Sequence, residues 1–317
     1  MTGKRTETLA QVLVEYSLGI KPRDVLCIQG DAMTAPLIES CYRMALRSGA
    51  FVVTDISHGP LSEIFYREAG GEQLRWRSPF DRFRLRKIDA LLRIAGSANT
   101  RSLKNADPSR MAAVCAAQKP LFRIKADRAA SGALRWALTQ WPCAASARDA
   151  GMSLGEYEDF VSRAGYLDHP DPVMTWRRIS KAQEALAAFL NTVREARIVA
   201  EDTDLRFNLK GRTWLNSDGR RNFPDGEVFT GPVEDSVEGH VKFSFLALHG
   251  GREVAGVRLT FERGRVVRSE ASKGQDYLRA MIAADRGASY VGEVAFGANY
   301  RISRFTRNTL FDEKIRG

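Results

Sequence analysis

The glutamates of the last third of the chain sit in settings that could do chemistry. RNFPDGEVFTGP (221–232) holds a Pro-Asp-Gly turn, then Glu227, then a β-branched and aromatic run closed by Gly-Pro. A glutamate just past a tight turn, at the start of a strand, projects from a rigid mount. VGEVAFG (291–297) repeats the arrangement at Glu293, among the apolar Val291, Val294 and Phe296. If such a carboxylate is buried, it must be paired, protonated or bound to metal. Glu313 comes shortly after another apolar pair, in NTLFDEK (308–314). Carboxylate donors suit hard divalent cations, and one carboxylate can bridge two of them roughly 3.5–4 Å apart. The three glutamates are 66 and 20 residues apart, so no local spacing rule joins them, and an ordinary exposed charge is the plain alternative for each.

Other chemistries find less support. The turn after the first strand reads IQGDAMTAP, which is neither GxGxxG nor GxxxxGK[ST], so it offers no phosphate cradle. Asp31 and Asp55 fall at strand ends where α/β folds bind ligands, although turn capping is the commoner use. There is no GxSxG and no HExxH, and His58, His169, His240 and His249 are far apart. His240 and His249 bracket one expected strand, and their odd separation puts them on opposite faces. Cys27, Cys41, Cys115 and Cys143 form no CxxC pair and no zinc-like spacing, so buried reduced thiols are expected.

The elements that must position the glutamates follow from periodicity. DVLCIQG (24–30), FVVTDI (51–56) and DALLRIAG (89–96) read as strands. Between and after them, APLIESCYRMALRSGA (35–50) and PSRMAAVCAAQK (108–119) read as helices, the second opened by proline. Strand–helix alternation of this kind implies a mainly parallel sheet. Ser153 and Glu156 form a capping box at the head of a helix in 151–168, and a long helix follows over 170–196. After Arg197 the pattern becomes strand alternation: 197–215, 240–248 and 254–272, with a tight turn at Arg263–Gly264. A helix over 276–285 and a strand over 293–298 complete it. The expected architecture is an α/β domain with a mainly parallel sheet over 1–196, ending in the long helix. An α+β domain with a largely antiparallel sheet follows over 197–317 and carries the three glutamates.

Composition sets the class. The 317 residues are 44% hydrophobic and 27% charged, ample for a packed core and more than one domain. No apolar run approaches the roughly 20 residues of a membrane span, and the N-terminus lacks a leader pattern, so a cytoplasmic protein without membrane contact is expected. The net charge is +10, but the arginines are scattered. The richest basic stretch, RWRSPFDRFRLRK (75–87), reads as a solvated face, with nucleic-acid binding as the alternative that steep salt dependence would reveal.

NFPDGEVFTGP, the stretch from VAGVRLTFERG to YVGEVAFG, and ISRFTRNTLFDE resemble successive blocks of the M29 metallo-aminopeptidases, of the aminopeptidase T and aminopeptidase S type. KPRDVLCIQGDAMTAPLIESCYRMALRSGA and WPCAASARDAGMSLGEYEDF also look like that family, so the resemblance spans nearly the whole chain. It implies Glu227 and Glu293 as metal ligands, Glu293 bridging, and Glu313 as a ligand or orienting group. It also implies two divalent ions per site (zinc, cobalt or magnesium), a peptide substrate and a homodimer. In the family a histidine, a tyrosine and a His-x-Asp pair follow the third block. No histidine lies beyond His249 here, so a truncated chain with a partial site is expected, with a non-catalytic relative as the alternative.

Overall fold

The computed structural model describes Met1, residues 3–249 and residues 252–316, and of His249 the backbone only. The facing of His249 relative to His240 therefore lies outside the described residues. The strands run β1 (Val25–Asp31), β2 (Phe51–Ser57), β3 (Ala90–Ala95), β4 (Arg135–Gln140), β5 (Glu195–Ala200), β6 (Thr203–Asn208), β7 (Leu215–Ser217) and β8 (Asn222–Phe223). They continue as β9 (Glu227–Thr230), β10 (Glu238–Lys242), β11 (Ala247–His249), β12 (Arg252–Val254), β13 (Arg258–Glu262), β14 (Arg265–Glu270) and β15 (Val294–Gly297). The chain forms two compact units. One comprises Met1–Trp176 with Gly219–Pro224, the other Arg177–Asp218 with Asp225 onward.

The first unit is built on a parallel sheet of order β2-β1-β3-β4-β8. Leu26, Cys27 and Ile28 of β1 are fully buried, as a continuous apolar run in a two-sided sheet should be. The equally apolar β2 is an edge strand, and its Phe51, Val53 and Ile56 stay exposed. Helix Ala35–Arg47 turns Leu37, Ile38, Cys41 and Ala45 inward at the expected spacing. The capping box closes as read: Ser153 Oγ accepts from Glu156 N at 3.3 Å, and Glu156 Oε2 accepts from Ser153 N at 2.7 Å. Helix Pro108–Ala130 runs well past the expected stop at Lys119, straight through Pro120. Its far end is pinned by Arg128 Nη1, which donates to the carbonyls of Leu85 and Ile88 at 2.7 Å each.

Asp31 and Asp55 have structural uses. Asp31 accepts from Met33 N at 3.0 Å, and Asp55 accepts from Gln29 Nε2 at 2.9 Å and pairs with Arg84 at 2.8 Å. Cys27, Cys41 and Cys143 are buried free thiols, whereas Cys115 is exposed. Helix Pro79–Lys87, within the basic stretch, buries no residue. Among the described residues no helix is long and apolar enough to cross a membrane.

The second unit holds an antiparallel sheet of order β14-β13-β10-β6-β5, a three-stranded antiparallel sheet β15-β9-β7 and the hairpin β11–β12. Its core joins Leu205, Phe207, Trp214, Val228 and Phe261 to Ala187 and Leu190 of helix Pro172–Leu190. That helix ends before 196 because Glu195 already pairs with Asn208 in the β5–β6 ladder. The expected strand 240–248 is broken in two: β10 stops at Lys242, and Phe245 stacks on Phe305 with ring centroids 4.6 Å apart. Arg263 and Gly264, both at positive φ, make the tight β13–β14 turn.

Candidate functional site

The candidate site grows out of β9. Successive side chains of a strand point to opposite faces, so when Val228 of β9 enters the core Glu227 must face the other way. Phe296, the cross-strand partner of Val228, lies over Trp214 with ring centroids 5.5 Å apart and fixes that choice of face. Gln183 locks the start of the strand: its Nε2 donates to the Glu227 carbonyl at 2.9 Å and to the Ser217 carbonyl at 3.1 Å.

The segment that carries Glu313 is brought over this strand by two glycines. A Cβ on Gly297, which pairs with Glu227, would lie 1.9 Å from the carbonyl oxygen of Ile315. Gly226, at φ +120°, leaves room for Asn299, whose Cβ would stand 2.9 Å from an added methyl. Asn299 joins the parts. Its Nδ2 donates to the Asp225 carbonyl at 2.7 Å and its backbone N–H to the Lys314 carbonyl at 3.2 Å. Short helix Thr309–Asp312, capped by Asn308, anchors the segment through the fully buried Phe311.

At the centre is an ammonium. Lys314 has 0% of its surface exposed, and its Nζ lies 3.1 Å from Glu227 Oε1 and 2.8 Å from Glu313 Oε2. Glu227 is 5% exposed, and its second oxygen, Oε2, is buried without a hydrogen-bond partner. Asp225, also fully buried, accepts from Ser217 Oγ at 2.8 Å and from Gly226 N at 3.0 Å. Two carboxylates thus pair with one cation, and a third, Asp225, adds to the negative field around it. Burial pushes the Glu227 carboxyl up from 4.5 to about 7, with Lys314 pulling it down and the neighbouring Asp225 adding to the rise. Burial also works against the Lys314 ammonium, but Glu227, Asp225 and Glu313 more than reverse it and hold the ammonium above its ordinary range.

Of the three expected residues, the structure brings Glu227 and Glu313 together and leaves Glu293 apart. The β9–β15 ladder pairs Glu227 with Gly297 and Thr230 with Val294. Glu293, exposed, lies one step beyond Val294, about 13 Å along the strand direction from Glu227. Among the described residues no group of three or more His, Cys, Asp or Glu is arranged to hold a metal ion. What does fit a hard cation is the pair Glu227–Glu313: two carboxylates already converge on one positive charge, with a buried oxygen to spare. Sequence reasoning missed Lys314, Asp225, Asn299 and Gln183. Asp225 was legible only as a turn residue, and lysine is the type least expected to be buried.

A family model described as thermophilic metalloprotease (M29) matches residues 2–316, and the chain belongs to that family. Aminopeptidase 2 of Geobacillus stearothermophilus is 27% identical over 98% of this chain and 81% of its own length. Aminopeptidase T of Thermus thermophilus is 29% identical over 71% of this chain and 60% of its own length. The solved structure of wild-type AmpT from Thermus thermophilus superposes with a TM-score of 0.84 at 23% identity, over 99% of this chain and 84% of that one. A 2,5-dihydroxypyridine dioxygenase from Pseudomonas putida shares the fold more distantly, with a TM-score of 0.54 at 13% identity over 94% of this chain and 77% of that one. A dioxygenase on a related fold means that the reaction must be argued from the site.

Proposed function

We propose that this chain is a divalent-metal aminopeptidase that removes N-terminal residues from peptides. The observation that carries the reading is the buried, unpartnered Oε2 of Glu227 beside a second carboxylate, in a chain of the M29 family. Glu227 and Glu313 would hold the cation, and Glu293 joins the set on the strength of its family block. Zinc, cobalt or magnesium, two ions per site, would supply Lewis acidity and bring a water molecule's pKa toward neutrality. The chain's own residues do the positioning. Gln183 fixes the backbone of Glu227, Asn299 ties the Asp225 loop to the Lys314 segment, and Ser217 orients Asp225. A substrate's N-terminal ammonium is itself a cation that these carboxylates attract, as they attract Lys314.

Hydrolysis of an aminoacyl-anilide, measured after chelation and after return of each metal with metal content determined in parallel, tests the reading. Metal-dependent release of the anilide is expected, with metal content and activity both falling in Glu227→Gln. No hydrolysis with any of the three metals, or unchanged metal content in Glu227→Gln, would overturn it. Glu293→Gln examines the third carboxylate separately, since loss of a ligand lowers the metal content. A second reading, a non-catalytic binding or assembly relative, is favoured by the Lys314 ammonium already filling the cation position. It predicts no hydrolysis whatever metal is supplied.

A further inference from the structure

The geometry points to Lys314 as a tethered counter-cation that occupies the place between Glu227 and Glu313 and competes there with a divalent metal ion. This rests on the reading that those two carboxylates hold metal. It adds a control on metal loading that lies in the chain itself.

Three observations carry it. First, the ammonium lies within 3.1 Å of Glu227 and 2.8 Å of Glu313, and metal–oxygen distances of roughly 2.0–2.6 Å to the same carboxylates would put a metal ion in the same space. Two cations cannot share those oxygens without strong repulsion where Glu227 and Lys314 are shielded from water. Second, the backbone of Lys314 is not free to withdraw. Its carbonyl accepts from Asn299 N, Ile315 bridges to Asn299, and Phe311 is sealed in the core. Competition must therefore be settled by the side chain, whose four-carbon stem can swing. Glu313 offers the way out, because its side chain is 40% exposed while that of Lys314 is 0% exposed. Third, the ammonium contacts only one oxygen of Glu227 and leaves Oε2 buried and unpartnered. A divalent ion can take both oxygens of one carboxylate. This arrangement is thus incompletely satisfied, which is what a replaceable occupant requires. Metal affinity is lowered by the fraction of chains in which the ammonium holds the site.

The test is cobalt(II) binding at fixed pH, by calorimetry and visible absorption, on the wild-type chain, Lys314→Met, and Lys314→Met combined with Glu227→Gln. Removing the tethered charge should tighten cobalt binding about tenfold or more, and the added Glu227→Gln should abolish that gain. Equal or weaker binding by Lys314→Met, or a gain that survives Glu227→Gln, overturns the competition and leaves the metal reading standing. Absence of cobalt binding in all three proteins overturns both. A second measurement uses the wild-type chain alone, so it stands even if Lys314→Met does not fold. Acetylation of Lys314, followed by peptide mass spectrometry, should be slow without metal and about tenfold faster or more at saturating cobalt, as the ammonium moves to water. Unchanged protection of Lys314 with cobalt bound overturns the proposal.

Discussion

The same tripeptide, Gly-Glu-Val, occurs at Gly226–Glu227–Val228 and at Gly292–Glu293–Val294, and the two copies end in opposite environments. They lie near opposite ends of one antiparallel ladder, β9 paired with β15. At one end, Gln183, Asn299 and the Lys314 segment close over Glu227, which becomes a buried carboxylate with a counter-charge. Glu293, at the other end, stays exposed. A local motif supplies a carboxylate and a strand start; what packs over it decides whether the carboxylate is buried and paired or left exposed.

The largest effect expected from breaking this contrast is at Lys314. Lys314→Met takes away the cation that favours the ionised Glu227, which must then stay charged and unpaired or take up a proton, so urea unfolding above pH 7 should show a loss of about 3–5 kcal/mol. Adding Glu227→Gln removes that charge and should restore a good part of the loss. Strict additivity of the two substitutions would show that the ion pair is not the cause.

Next comes the pH dependence that Glu227 imposes. Its carboxyl holds its proton up to about pH 7 in the folded chain, against 4.5 as its ordinary value. Between those limits the folded state binds more protons than the unfolded state. Stability should therefore fall as the pH rises through this window, and the loss is complete above it. At about 1.4 kcal/mol per decade of proton affinity, the rise amounts to about 3 kcal/mol. Glu227→Gln should flatten the stability profile between pH 4.5 and 7, and an unaltered slope would show that another group sets it.

The difference between the two ends also marks what the sequence could disclose. The parallel sheet, the Ser153–Glu156 box, the β13–β14 turn and β9 itself are local patterns, and hydrophobic period or turn chemistry revealed them. The exposure of β2 was not readable, because β1 and β2 are both apolar runs and only strand order makes one central and the other an edge. The helix expected over 108–119 runs on to Ala130, where Arg128 reaches back to Leu85 and Ile88. At the site, Glu227 and Glu313 were singled out by residue type and resemblance. Their meeting depends on Gly297 admitting the backbone of Ile315, a contact between residues with no periodicity in common. Lys314 was hidden by the rule that lysines face water, a rule that fails where carboxylates pair with the ammonium.

That close approach gives a smaller effect. Gly297→Ala places a methyl against the Ile315 carbonyl and should cost about 1–3 kcal/mol, because the Lys314 segment must be pushed off the strand. The displaced ammonium should then be acetylated faster even without metal. A variant as stable as wild type with Lys314 still protected would mean that the segment is held without that approach.

The smallest effect is expected at the other Gly-Glu-Val. Glu293 is exposed, so Glu293→Gln should change stability by no more than about 0.5 kcal/mol. It should also leave the slope between pH 4.5 and 7 as it is, since about 13 Å of separation exceeds the screening length of roughly 8 Å at physiological salt. Measured in parallel with Glu227→Gln, this asks whether the two ends are electrostatically separate in the metal-free chain. If Glu293→Gln also flattened the pH profile, the two carboxylates would be coupled despite their exposed and buried settings. Packing at the Glu227 end would then not be enough to explain why one glutamate titrates near neutrality.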